Sequence, residues 1–219
     1  CSEAGNVEGE LHHTPTSTNI LYTAQSLNKC AGELHITLPE LKKVLDHAQH
    51  KLLTAQNKRI RPGKDTKILT DWNGLMITAL AHGAQVLNKQ EYADAAQRAA
   101  DFILKKHFKE GKILHCSNTQ DKNVEGMLDD YAFLTWGLLE VYEATFNLDY
   151  LKTAQQLTDY LLKHFWDTDK GGLYLTADTA ETILVRQKEI YDGALPSGNA
   201  IALLNLSKLA KLLAHKEYE

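Results

Sequence analysis

Asn73 and Tyr92 stand 19 residues apart, and so do Tyr131 and Tyr150, and Asn199 and Tyr218. Each interval holds one nearly all-apolar run and the start of a second helical pattern. A shift of 58 places Asp71 on Asp129, Asn73 on Tyr131, Tyr92 on Tyr150 and Ala96 on Ala154. A shift of 68 places Asp129 on Ser197, Tyr131 on Asn199 and Tyr150 on Tyr218. Periods above ~50 residues exceed the common solenoid units and leave room for two helices plus an excursion. The chain therefore reads as a repeated helical hairpin. Its third copy ends one residue after a second helix is due, so it is expected to be a piece of a longer array.

The two helices of each unit differ in kind. Leu75–Ala81, Phe133–Leu139 and Ile201–Leu204 are apolar on every side, which predicts burial on every side. The partner segments are one-sided: Tyr92, Ala95, Ala96, Ala99, Phe102 and Ile103 recur at helical spacing among charged residues, and Leu151, Ala154, Leu157, Leu161 and Phe165 repeat the pattern. Leu38, Leu41, Val44, Leu45, Ala48 and Leu52 mark an earlier helix of this outer type. Buried helices near 72–87, 130–146 and 198–213, alternating with amphipathic ones near 39–57, 91–108 and 150–165, predict an all-α fold: part of an (α/α) toroid. A flat solenoid competes, but its units are shorter and lack strands. Short strands are predicted at Gly111–His115, Gly172–Thr176 and Ile183–Ile190, two of them after glycine breaks. Residues 1–37 are polar, without sustained periodicity.

Composition narrows the partners. At 219 residues and 43% hydrophobic the chain can bury a sizeable core. A formal charge of −4 leaves no basic footprint for nucleic acid, and no apolar run approaches the ~20 residues that span a bilayer. Cys1, Cys30 and Cys116 are far apart, odd in number and without zinc-ligand spacing. They are expected to be free thiols in a reducing, cytoplasmic setting. The missing outer partner of the last inner helix predicts exposed apolar surface at Leu203, Leu206 and Leu209, and self-association through that edge.

Several segments carry a family resemblance. Asp65–Ile77 resembles the DDKILTSWNGLMI signature of the thioredoxin-domain-containing DUF255 family, of spermatogenesis-associated protein 20 type. Gly5–Gly9 is similar to its GNFEG, Leu128–Phe133 to its LDDYAF, and Asp192–Asn199 to its DGAxPSGN. Thr66 and Asp71 depart from the pattern, so no role is carried over for a carboxylate at 66. The resemblance implies a thioredoxin-like domain followed by a toroid similar to six-hairpin glycosidases and N-acylglucosamine 2-epimerases. Residues 1–219 would be a single fragment of that toroid, with the thioredoxin-like domain and the remaining hairpins lying outside it.

The polar residues able to carry chemistry sit where the repeat predicts a shared rim. Asp71, Trp72 and Asn73 open the first inner helix, Asp129, Asp130 and Tyr131 the second, and Ser197 and Asn199 the third. An indole stacks on sugar C–H surface, and amides and carboxylates hydrogen-bond hydroxyls, so the set suits a glycan or other small-molecule ligand. Asp129 or Asp130 facing Asp192 could form an acid–base pair for glycoside hydrolysis. Trp72, Asn73, Tyr131, Arg186, Ser197 and Asn199 are the ligand-binding candidates. Arg186 could hold an anion bidentately or pair with a rim aspartate. The competing structural reading is strong: Asp and Ser are preferred helix caps, and Asp71, Asp129 and Ser197 occupy equivalent positions. Asp130, Asn73 and Asn199 have less need to cap. Among ten histidines only His115 is a candidate for cavity exposure. No metal-ligand spacing and no cofactor motif is present. Two function classes stay open: a sugar epimerase, isomerase or glycosidase, and a non-catalytic binding or structural module working with a redox domain.

Overall fold

A computed structural model describes residues 20–117, 124–181 and 184–218. Cys1 and the Gly5–Gly9 motif lie outside them. The chain divides into two compact units, 1–64 and 65–219.

The first unit holds α1 (Leu27–Glu33) and α2 (Leu38–Asn57), which pack on each other. Sequence periodicity missed α1, which has seven residues and buries only Ala31, too few to show a face. Thr37 starts α2 with a capping box: its hydroxyl accepts from the Glu40 N–H, and Glu40 Oε2 accepts from the Thr37 N–H at 2.8 Å. Of the apolar positions assigned to this helix, Leu41 is buried, whereas Val44, Leu45 and Leu52 are exposed.

The second unit holds the repeat. The inner helices are α3 (Thr70–Leu87), α5 (Leu128–Thr145) and α7 (Gly198–Leu213), and the outer ones are α4 (Gln90–His107) and α6 (Leu148–Phe165). They lie within about two residues of the spans expected from the sequence. α5 packs between α3 and α7, α4 lies on α3, and α6 lies on α5. α5 is accordingly buried on all sides, with Tyr131, Phe133, Leu134, Leu138 and Leu139 at the centre of the core. Asn205 Nδ2 docks α7 onto α5 through the Ala132 carbonyl at 2.8 Å.

Glycine sets how closely α3 and α5 approach. A Cβ on Gly74 would stand 2.6 Å from the backbone of Phe133 and Leu134, and one on Gly137 would stand 3.0 Å from the Gly74 carbonyl oxygen. Each inner helix ends on a left-handed residue at an equivalent repeat position: Asn88 (φ 51°), Phe146 (φ 56°) and Ala214 (φ 50°). That conformation closes the last turn and reverses the chain within two residues.

Two of the repeat's three tyrosines act as tethers. Tyr150, opening α6, donates to Asp101 on α4 at 2.8 Å. Tyr218, in a 3-10 turn at Lys216–Tyr218, donates to Asp159 on α6. Asp101 and Asp159 are themselves 58 positions apart, so the tether repeats with the hairpin.

The excursion after α4 forms β2 (Phe108–Lys109) and β3 (Lys112–Ser117), which pairs antiparallel with β2, with β1 (Ile68–Leu69) and with β4 (Val124–Glu125). Gly172–Thr176 does not form a strand, nor does 184–190, and Ile183 lies outside the described residues. Leu173 makes one antiparallel bridge to Trp166, and 184–190 runs without strand pairing, its Gln187 carbonyl accepting the Leu175 N–H at 2.7 Å and its Glu189 carbonyl the Asn199 amide at 2.9 Å. Cys30 and Cys116 are free thiols. At the predicted apolar edge Leu203 is 69% exposed, but Leu209 is fully buried in the core and does not contribute.

Candidate functional site

The starts of α3, α5 and α7 meet, and Asp130 joins the first two. Asp130 is 1% exposed. Its Oδ1 accepts the backbone N–H of Asp71 at 3.0 Å and its Oδ2 the N–H of Met127 at 2.8 Å. It thus satisfies orphan donors of two helices, where the sequence reading gave it little need to cap. His115 Nδ1, from β3, lies 3.1 Å from both Asp130 oxygens. That bond to Asp130 holds the imidazole above its ordinary pKa, against the opposing effect of burial.

Asp129 projects toward α7. It receives the backbone N–H of Gly198, and a Cβ at Gly198 would fall 2.3 Å from Asp129 Oδ1, so glycine is required at this approach. Burial, then the charges of Asp130, Asp71 and Glu189, raise the Asp129 carboxyl to about 6. Asp71, half-buried, is also raised, first by burial, although its Oδ1 accepts the Trp72 N–H at 2.7 Å. Three carboxylates and one imidazole therefore share a small volume. Burial is the larger cause of both shifts, and the like charges add to it, since one imidazolium offsets only one of the three carboxylates.

A cleft of about 860 Å³ opens beside the cluster, lined by Asp65, Lys67, Trp72, Asn73, His115 and Cys116 among others. Trp72 is 60% exposed there, an unusual state for a large ring. Asn73 donates Nδ2 to the Leu69 carbonyl at 2.7 Å. His115 lines the cleft and touches Asp130, so it connects cleft and cluster.

The other sequence candidates make intramolecular contacts. The Tyr131 hydroxyl accepts the Ile113 N–H at 3.1 Å, its ring stacks on Tyr160, and burial pushes its pKa up. Ser197 caps α7 through the Ala200 N–H at 3.2 Å, and Asp192 Oδ1 accepts the Ser197 N–H at 2.8 Å. Asn199 is a clamp: its amide accepts from Leu173 N–H and donates to the carbonyls of Leu173 and Glu189. Arg186 lies over the Tyr174 ring, 4.2 Å from its centroid, and donates to the carbonyls of Thr176 and His164 at the end of α6. The acid near Asp129 from the segment before α7 is Glu189, which no sequence signal singled out. Asp71, His115 and Asp130 offer ligand atoms within 4.8 Å of one another, a spacing able to hold a cation. A cation there would compete with two backbone N–H groups for Asp130.

No family model matches the chain. The chain is 32% identical over 234 residues to spermatogenesis-associated protein 20 of Rattus norvegicus, covering 99% of this chain and 29% of that protein. Identity is also 32% over 226 residues to an uncharacterized Caenorhabditis elegans protein, covering 99% and 31%. The chain thus spans under a third of the length of these relatives. Three solved structures share the fold. Cellobiose 2-epimerase from Bacillus thermoamylovorans matches with TM-score 0.59 and 16% identity, over 72% of this chain and 43% of that one. A family 105 glycoside hydrolase of C. acetobutylicum matches with TM-score 0.56 and 14% identity, over 87% and 56%. An α-1,6-mannanase of Salegentibacter in complex with α-1,6-mannotriose, an inactive variant with two consecutive aspartates changed to asparagine, matches with TM-score 0.54 and 14% identity, over 83% and 50%. The fold is that of the (α/α) toroids. Among the described residues no helix is long and apolar enough to cross a membrane.

Proposed function

We propose that the rim formed by α3, α5 and α7 is a carbohydrate site at which Asp129 transfers a proton. The observation that carries this reading is the carboxyl of Asp129, raised to about 6 beside Asp71, Asp130 and His115. A group poised there is substantially present as both acid and base near neutral pH, which general acid–base catalysis requires. Asp130, fully bonded, acts as a positioning residue: it ties the start of α3 to α5 and orients His115. Trp72 supplies an exposed ring for the apolar face of a sugar, and Asn73 and Lys67 line the same cleft.

The fold neighbours support this choice of ligand, being glycoside hydrolases and sugar epimerases by name. The mannanase inactivated at two consecutive aspartates offers a chemical parallel to the consecutive Asp129 and Asp130. The reaction class proposed is proton transfer at a sugar carbon or glycosidic oxygen, as in epimerisation or glycoside cleavage. The DUF255-like signature at Asp65–Ile77 adds a proposed partner, a thioredoxin-like domain in the longer protein. A binding module serving that domain is the second reading, favoured by the complete engagement of Asp130.

The test is calorimetric binding of cellobiose, α-1,6-mannotriose and monosaccharides, followed by product detection by NMR. Asp129→Asn is expected to retain binding and lose turnover. Binding without turnover in the unchanged chain would favour the module, and no binding to any saccharide would end the carbohydrate reading.

A further inference from the structure

A second cavity, of about 530 Å³, lies between the same three inner helices, away from the rim cluster. It is lined by Leu75, Thr78, Ala79 and His82 of α3, Trp136 and Glu140 of α5, Leu204 and Lys208 of α7, and Pro196. On α3 these positions fall five to twelve residues past Thr70, roughly 8–18 Å along the helix at ~1.5 Å per residue. The walls are apolar apart from one acidic network at mid-helix depth.

Glu140 is the centre of that network and is 4% exposed. Its Oε1 accepts from Lys208 Nζ at 2.5 Å and from Trp136 Nε1 at 3.2 Å. Its Oε2 faces His82 Nδ1 at 3.5 Å, long for a hydrogen bond, and makes no other polar contact among the described residues. A buried carboxylate in a cavity wall thus keeps an oxygen with acceptor capacity to spare. Lys208 is shared with Glu143, which stands outside the lining, at 3.5 Å, so one ammonium faces two carboxylates and only part of its charge is spent on Glu140. The Trp136 N–H is directed at Glu140, and its partly exposed ring forms part of the wall.

We infer that this cavity binds a small organic cation: an amine on an apolar ring or chain, with its ammonium on Glu140 Oε2 and its body against Trp136, Leu75 and Leu204. The under-used Glu140 Oε2, an acceptor in an apolar wall, selects the cation over a neutral or anionic molecule of the same shape. The indole adds cation–π attraction, and the apolar walls supply the contact area typical of a small-molecule site. The side chain of His82 is 67% exposed at the edge of the cavity, so a ligand can reach Glu140 Oε2 from that side. This site does not depend on the carbohydrate reading, because none of its residues belongs to the rim cluster.

The experiment uses three probes of one shape on the 219-residue chain: benzylamine, benzyl alcohol and benzoate, measured by calorimetry. Benzylamine is expected to bind at least 10-fold tighter than benzyl alcohol, and benzoate weakest. Leu204→Trp, at an exposed position where the larger ring enters the cavity, is expected to weaken benzylamine at least 10-fold with an unchanged melting temperature. Glu140→Gln is expected to bring amine and alcohol to equal affinity. Equal binding of the two probes by the unchanged chain, unaltered binding by Leu204→Trp, or no binding of any probe would each overturn the inference.

Discussion

Replacing Asp129 with asparagine is expected to stabilise the protein at neutral pH and to do little in acid. The folded-state carboxyl is raised to about 6 from an ordinary 3.8. Between those values the native state binds more proton than the unfolded chain, so stability falls as pH rises through the window and stays reduced above it. The difference, 6 − 3.8 = 2.2, corresponds to ~3 kcal/mol at ~1.36 kcal/mol per pH unit. Partial solvent access to Asp129 lowers the observable effect to about 1–2 kcal/mol. Asparagine keeps an oxygen for the Gly198 N–H and removes the charge that Asp71, Asp130 and Glu189 oppose. Urea unfolding of both proteins at pH 4 and pH 7.5 measures this directly. Asp129→Asn should gain about 1–2 kcal/mol at pH 7.5 and under ~0.5 kcal/mol at pH 4. An equal change at both pH values, or a loss at pH 7.5, would refute the argument that burial, with the neighbouring like charges, disfavours the ionised Asp129 in the folded rim.

Gly74→Ala should be destabilising by about 1–3 kcal/mol in urea melts, because overpacking against the Phe133–Leu134 backbone exceeds the ~1 kcal/mol gained from helix propensity. Tyr150→Phe should lose about 1 kcal/mol, with Asp101→Ala in the same background adding little further, the signature of a broken tether in a double-mutant cycle. Phe146→Asn should raise the melting temperature, since Phe146 is exposed and left-handed and asparagine tolerates that conformation better. Titration of the denatured, unreduced chain should find three free thiols, Cys1, Cys30 and Cys116.

The layering was legible in the sequence because it rests on side-chain periodicity within single helices. Leu75–Ala81 and Phe133–Leu139 are apolar all round, and the 58-residue shift carries Asp71 to Asp129 and Tyr92 to Tyr150, so inner and outer helices could be placed within two residues. The strands were less legible. Gly172–Thr176 and Ile183–Ile190 show strand-like patterns, but in 172–176 and 184–190 the backbone groups are met by Asn199, Arg186, one bridge to Trp166 and lone backbone bonds to Leu128 and between Leu175 and Gln187, partners set mostly by tertiary packing. The site was half visible. Adjacent aspartates at a helix start look alike in sequence, yet Asp130 turns inward to Met127 and Asp71 while Asp129 turns across to Gly198. That division depends on which neighbouring helix start lies within reach, a tertiary fact. Glu189, set near Asp129 through the clamp of Asn199, had no motif to announce it.

The tyrosine tethers have a bearing on how such an array comes apart. Hairpins that touch only their neighbours unfold in a quasi-one-dimensional way, and their cooperativity is set by the free energy of each junction. Apolar contact between α5 and its flanking helices supplies most of that term and is indifferent to small slips in register. A phenol–carboxylate bond is directional, so Tyr150–Asp101 and Tyr218–Asp159 penalise slips that the greasy surfaces would permit. They act as index pins: each fixes the rotation of one hairpin on the last. The phase of the array is thereby carried from unit to unit, which keeps the starts of α3, α5 and α7 aimed at one point.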